Sequence, residues 1–263
     1  MSNLVFVLGS GRCGTKAIPR MLLGTPDLES HHEYCRYAYQ REAVMYAMQR
    51  LDRNSMEDVL RNVYSSALYY SDASQFLDSS HKLVPVVDLL VDMFPDAKFI
   101  HIVRDGRKVS SSFYYKLQIH DSKSHDKFMR WVDDESLPVP PPSEKYWWIP
   151  APYNLDRIQR IAWHWADSNT RISTALEKAR NTHFIKLEDV TTDRDTLKGL
   201  IDFIGVDWSD SYWTALQKPD HAYVPINYSL TAEQSEKFYQ IAAPLMDYYG
   251  YTGKEQDVRY YKV

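Results

Sequence analysis

The chain has little cysteine, no long hydrophobic run and no strong charge of either sign, and each shortage removes a class of protein. Two cysteines in 263 residues, Cys13 and Cys35, cannot build a disulfide framework, and a reducing compartment fits them. A net charge of −4 argues against a general binder of nucleic acid or anionic membranes, so an anionic ligand needs a local basic pocket. No stretch approaches a membrane span, and the apolar run at 4–8 is too short for a signal segment and has no basic flank. A soluble, cytoplasmic protein is expected. Clusters of His, Cys and Asp with metal-ligand spacing are missing too.

What remains is ordinary in bulk, with 44% hydrophobic and 25% charged residues, as in soluble globular proteins. The length is enough for a full core, and one domain over 1–263 is expected. Aromatics are high at 14%; such rings suit a groove for sugars or bases, although most serve core and surface.

The informative stretch is the start. Leu4-Val5-Phe6-Val7-Leu8 is an apolar run, followed by Gly9-Ser10-Gly11-Arg12-Cys13-Gly14-Thr15-Lys16 and then by Ala17-Ile18-Pro19-Arg20-Met21-Leu22-Leu23, which reads as the start of an amphipathic helix. Strand, glycine-rich turn and helix present backbone N–H groups to a phosphate. A helix dipole is worth only about 0.3–1 kcal/mol, so Arg12 and Lys16 must supply much of the remaining attraction. Lys98 to Val103, β-branched and continuous, is the clearest second strand; Arg104-Asp105-Gly106-Arg107 is its exit turn, and a helix follows through Val109, Ser112 and Phe113. Two such units imply a parallel sheet with right-handed crossovers.

Other elements follow from periodicity. Residues 40–70 read as helical, Gln75–Asp78 as a strand, and Pro85–Met93 as a short helix. Leu28–Glu33 is a loop or short strand. A helical face carries Ile158, Ile161, Trp165, Ile172 and Leu176; Thr182–Leu187 is a third strand; a further helix ends at Gly205; and Thr231 with Gln234 caps a last helix from about Ala232. Between these, 121–153 is rich in proline and tryptophan and reads as a long surface excursion, with an ordered aromatic lid preferred over disorder.

The first loop nearly matches the Walker A pattern G-x-x-x-x-G-K-[ST], with its last two residues transposed to Thr15-Lys16. The basic residue of matching reach is therefore Arg12, inside the loop. At this point the chain resembles the sulfotransferase family. Gly11-Arg12-Cys13-Gly14-Thr15 matches that family's 5′-phosphosulfate loop. The run from Phe99 to Tyr114 matches its second signature, in which an Arg at the strand end and a Ser eight residues on, here Arg104 and Ser112, hold the donor's 3′-phosphate. Lesser echoes are Phe94–Lys98, Leu187-Glu188-Asp189 and Tyr249-Gly250-Tyr251.

The resemblance implies a three-layer α/β fold, with a central parallel β-sheet flanked by helices in the P-loop NTPase-like manner. It implies a 3′-phosphoadenosine 5′-phosphosulfate donor, adenosine 3′,5′-bisphosphate as product, no metal, and sulfuryl transfer to a hydroxyl or amine of a small-molecule, carbohydrate or lipid acceptor. On it, Arg12 bonds the oxygen bridging phosphate and sulfate, and the amides of Cys13, Gly14, Thr15 and Lys16 cradle the 5′-phosphate. An acceptor hydroxyl needs a general base, for which Glu33 and His81 are the candidates. Glu33 is preferred because His31-His32-Glu33 lies directly behind the loop in sequence, with His32 able to orient or tune it. Lys82 is a candidate contact to sulfate or acceptor, and Trp147 and Trp148 would suit stacking on a sugar or aromatic ring.

Two departures stand out. Leu187 replaces the tyrosine that contacts adenine in the cytosolic enzymes, and their C-terminal Arg-Lys-Gly stretch is absent, with only Lys218 and His221 basic between 218 and 228. Both point to a bacterial or carbohydrate-type relative. Two other readings stay open: a P-loop kinase of small molecules, which needs a magnesium-holding carboxylate, and a non-catalytic nucleotide-phosphate-binding protein.

Overall fold

The computed structural model describes residues 3–119, 152, 155–218 and 229–253. Trp147, Trp148, His221 and all of 121–153 except Pro152 lie outside them. Five strands, β1 (Asn3–Leu8), β2 (Leu28–His32), β3 (Gln75–Ser79), β4 (Lys98–Val103) and β5 (Asn181–Lys186), form one parallel sheet in the order β2-β3-β1-β4-β5. The run at Leu28 is thus a strand, paired to β3 from Leu28 opposite Gln75 to His32 opposite Ser79.

Period-two alternation along β1 builds two cores. Val5 and Val7 face one; Leu4, Phe6 and Leu8 face the other. Both faces are covered by helices, which is why the central strands are continuously apolar. The second core takes α2 (Gln40–Ala47), α3 (Arg53–Tyr70) and α4 (Val87–Met93). The first takes α1 (Ala17–Met21), α5 (Gly106–Ile119), α8 (Arg194–Ile204), α9 (Asp210–Leu216) and α10 (Ala232–Tyr248). Helix α6 (Arg157–Leu176) joins them: Ile158, Ile161 and Trp165 pack in the first core, Ile172 and Ala175 in the second.

Several boundaries differ from the sequence reading for local reasons. The helix expected over 40–70 is two helices, because Asp52 starts a new one by accepting the Ser55 N–H at 3.0 Å. Before α4, His81–Val86 is a 3₁₀ turn carrying Pro85, started by the Ser80 hydroxyl, which accepts the Lys82 N–H at 3.1 Å. Leu187 opens the short helix α7 (Leu187–Thr192) instead of closing β5, and α9 was not foreseen. The cap at Thr231 and Gln234 forms with both reciprocal bonds.

Strand β1 connects to β2 on one side of the sheet, and β4 connects to β5 on the other. The crevice between the carboxyl ends of β1 and β4 is therefore where the chain's direction of winding reverses, the usual ligand position in open α/β sheets. The Gly9–Lys16 loop and the Arg104-Asp105 turn both leave from it.

On β3, Asp78 is fully buried, accepting from the Tyr34 N–H at 3.0 Å and the Tyr64 hydroxyl at 2.7 Å. Burial outweighs those bonds and pushes its carboxyl up to about 7. The folded state thus holds this proton more tightly than the unfolded chain. The stability it contributes is complete below the ordinary value of 3.8 and is lost as pH rises through about 7. Asp78→Asn keeps an acceptor for Tyr34 and a partner for Tyr64. Its melting temperature should fall less than the wild type's between about pH 5 and about pH 8; parallel curves would contradict a raised Asp78.

Candidate functional site

The loop after β1 is shaped by left-handed residues: Gly11 at φ 80°, Arg12 at φ 56° and Gly14 at φ 102°. At Gly14 a Cβ would stand 2.6 Å from Leu187 Cδ1, so glycine is required both by conformation and by space. Arg12 has a Cβ and bears the strain, on the order of 1 kcal/mol. Its neighbours hold it there. Arg12 Nε donates to Ser112 Oγ at 2.9 Å, and Arg104 Nη1 donates to the Arg12 carbonyl at 3.0 Å. The three basic and hydroxyl positions singled out by the two motifs thus meet in space.

Three further carbonyls of the loop are also engaged. Ser10 O accepts from His164 Nε2 at 3.0 Å, and Thr15 O accepts from the Ser79 hydroxyl at 2.5 Å. Gly14 O accepts from the amides of Ala17 at 2.8 Å and Ile18 at 3.2 Å. In a planar trans peptide the N–H points opposite to the C=O, so the amides of Gly11, Cys13, Thr15 and Lys16 point away from these partners. Cys13 is fully buried under the loop. Burial pushes its thiol up to about 11 against the backbone N–H groups of Gly11 and Thr15, which makes it a neutral packing residue. One expectation needs reducing. Helix α1 has five residues, with Pro19 inside its first turn, so few peptides align behind the loop and the cationic side chains carry more of its attraction for anions.

The second turn is braced from three directions. Trp165 Nε1 donates to Arg104 O at 3.2 Å, and the Asp105 N–H donates to Glu188 Oε1 at 3.0 Å. Arg107 grips Asp105 with Nε at 2.9 Å and Nη2 at 2.6 Å, while its Nη1 reaches the Gly253 carbonyl at 2.7 Å. Tyr251 donates to Glu188 Oε2 at 2.9 Å, which ties the Tyr249-Gly250-Tyr251 stretch to the same turn.

Glu33 and His81 prove to be one unit. Glu33 sits in a left-handed turn (φ 57°) just after β2, its N–H donating to Ser79 O at 3.1 Å. His81 Nδ1 lies 3.1 Å from Glu33 Oε1, and Arg36 Nη1 makes a very short bond to Oε2. Burial would raise the Glu33 carboxyl, but the His81 bond and the nearby Lys82 and His32 hold it well below the usual carboxylate range. Burial, with Lys82 beside it, pushes His81 well down. The pair therefore rests as Glu33 carboxylate and neutral His81, with Nδ1–H donating and Nε2 carrying the lone pair. His81 also faces the loop: a Cβ on Gly11 would lie 3.4 Å from its ring.

His32 has a lesser place. Its Nδ1 donates to Ser79 O at 2.8 Å, and its Nε2 stands 4.0 Å from Glu33 Oε1. Lys82 is buried with its charge acting on Glu33, His81 and His164, whereas Lys16 is exposed at the start of α1. Two residues escaped the sequence reading. Arg36, three residues after Glu33, had the spacing of a local ion pair. His164 had only its position between two tryptophans in a helix as a signal.

These features define an α/β protein with a glycine-rich loop at the centre of a parallel sheet and a partly buried Glu–His pair beside it. The family model described as "Sulfotransferase family" matches residues 4–138, just over half of the chain. The chain belongs to the sulfotransferase family. No curated protein matches it significantly. Among solved structures, a sulfotransferase from Alicyclobacillus acidocaldarius is 14% identical with a TM-score of 0.53, over 99% of this chain and 98% of that one. Sulfotransferase STF9 from Mycobacterium avium is 14% identical with a TM-score of 0.59, over 98% and 78%. Mouse sulfotransferase SULT7A1 complexed with PAP is 14% identical with a TM-score of 0.50, over 93% and 85%. At such identities the likeness establishes the fold.

The tautomer assignment is checkable directly. Ring-¹⁵N NMR of the histidines should show His81 neutral and protonated on Nδ1 from pH 8 down to about pH 6, where an ordinary imidazole of 6.5 is already more than half charged. An imidazolium at pH 7 would contradict the assignment.

Proposed function

We propose that the protein transfers a sulfuryl group from 3′-phosphoadenosine 5′-phosphosulfate to a hydroxyl of a small-molecule, carbohydrate or lipid acceptor. The observation that carries this reading is the closure of Arg104 and Ser112, from the second strand–turn–helix, onto Arg12 of the first. The residues fit such a donor. Two left-handed glycines let an anion approach backbone that is free of side chains, while Arg12, Lys16 and Arg104 supply positive charge. Mouse SULT7A1, of the same fold, is complexed with PAP, which supports the nucleotide class by fold analogy.

The donor, when bound, supplies an activated sulfuryl group, and the chain's residues do the rest. Arg12 stabilises negative charge on the departing phosphate, and the amides from Cys13 to Lys16 bind the 5′-phosphate. Arg104 and Ser112 hold the 3′-phosphate. His81 Nε2 takes the acceptor proton, and Glu33 holds the imidazole in the tautomer that leaves Nε2 bare. This assigns the base to His81 rather than to Glu33, because a carboxylate held so far below its usual range is a weak proton acceptor. Arg36 bonds both Glu33 and the Tyr37 hydroxyl, and so keeps the carboxylate in place as the acceptor arrives.

The kinase reading needs a magnesium-holding carboxylate, and among the described residues the two at the neighbouring strand ends are already engaged. Asp78 is engaged by Tyr34 and Tyr64, and Asp105 by Arg107. Thermal unfolding separates the readings. Adenosine 3′,5′-bisphosphate should raise the melting temperature in EDTA, by an amount growing with ligand concentration. Stabilisation by ATP alone, and only with Mg²⁺, would favour a kinase.

A further inference from the structure

We propose that His164 is a positioning residue of the donor loop, fixing the peptide between Ser10 and Gly11 so that its C=O stays turned away from the nucleotide; this rests on the donor reading above. The need for such a residue comes from Gly11. A glycine at φ 80° adopts other backbone angles at little steric cost, so the Ser10–Gly11 peptide is the point of the loop most able to flip. A flip would exchange the directions of the C=O and the N–H, take the Gly11 N–H off the buried Cys13 thiol and reshape the turn that holds the nucleotide. His164 Nε2 opposes this by donating to Ser10 O at 3.0 Å.

The donor is well placed for the task. His164 is buried, and its ring stands nearly perpendicular to that of Phe113 with centroids 5.9 Å apart, which restrains the imidazole plane. Its helix is itself anchored to β4 and the neighbouring turn. Trp165 donates to Arg104 O, while Asn169 joins Trp165 O at 2.8 Å to His101 Nε2 at 3.0 Å. One rigid face of α6 thereby holds both strand-end loops in register. The side chains that flank Gly11, Phe113 and His81, belong to the same neighbourhood, so a flip would also disturb the wall beside the base. Nothing in the two motifs encodes this contact, since His164 lies 154 residues from Ser10.

The test is calorimetric titration of adenosine 3′,5′-bisphosphate into wild type, His164→Leu and His164→Gln, with the melting temperature of each taken without ligand. Gln places an N–H donor near the position of Nε2, whereas Leu keeps bulk without a donor. His164→Leu should bind roughly tenfold more weakly, with His164→Gln restoring most of the affinity even where both melt at a similar temperature. Equal weakening in both variants, or no weakening in Leu, overturns the proposal alone. Absence of binding by the wild type overturns the donor reading and this proposal with it. In wild type, the His164 Nε2–H resonance should move when the bisphosphate is added, which serves if the Leu variant does not fold; an unmoved resonance overturns the role.

Discussion

On the proposed function this loop holds a phosphate and must keep its carbonyl oxygens out of the way, a task spread over the whole sheet. Ser10 O is held from α6, Arg12 O from the end of β4, Gly14 O by the first amides of α1, and Thr15 O by Ser79 of β3. Each bond alone contributes roughly 1 kcal/mol, more for the guanidinium, but each also fixes the direction of an amide. The strain of a left-handed Arg12 is of the same order, so the surrounding bonds can hold it. Fold and site are therefore hard to separate: the order β3-β1-β4 brings Ser79 and Arg104 to opposite sides of the loop.

The same geometry organises the charges. Glu33 lies among His81, His32, Lys82 and Arg36, and the hydrogen bond from His81 together with the charges of Lys82 and Arg36 keeps its carboxylate ionised despite burial. Burial acts the other way on His81, which stays neutral. An ionised carboxylate donating orientation to a neutral imidazole is a familiar way to prepare a base for a hydroxyl. The pair adjoins Gly11, so the proposed base and the proposed donor loop share one wall.

Much of this was legible in the sequence, and what was missed has a physical reason. The strands, the loop and the turn after β4 rest on short-range patterns: apolar runs, glycines and a basic residue at fixed offsets. The family resemblance carried Arg104 and Ser112 to the loop across a hundred residues, and the fold brings them there. It also put Glu33 and His81 forward as rivals, because sequence cannot show that β2 and β3 are neighbours that end side by side. His164 was invisible for the same reason. It sits beside an apolar helical stripe, and nothing local distinguishes a histidine that caps a distant carbonyl from one that fills a core. Arg36 was recoverable from its spacing to Glu33. The break at 48–52 was recoverable from Asp52 before Ser55.

The central claim is that this loop and this Glu–His pair together perform sulfuryl transfer. The most direct measurement supplies ³⁵S-labelled 3′-phosphoadenosine 5′-phosphosulfate and a cell extract, in EDTA, and follows the label by chromatography and mass analysis. The account predicts a labelled organic sulfate with the wild type and a rate lower by about 10²–10³-fold with Arg12→Ala. Label that stays on the nucleotide with the wild type, or transfer that is indifferent to Arg12, would contradict it.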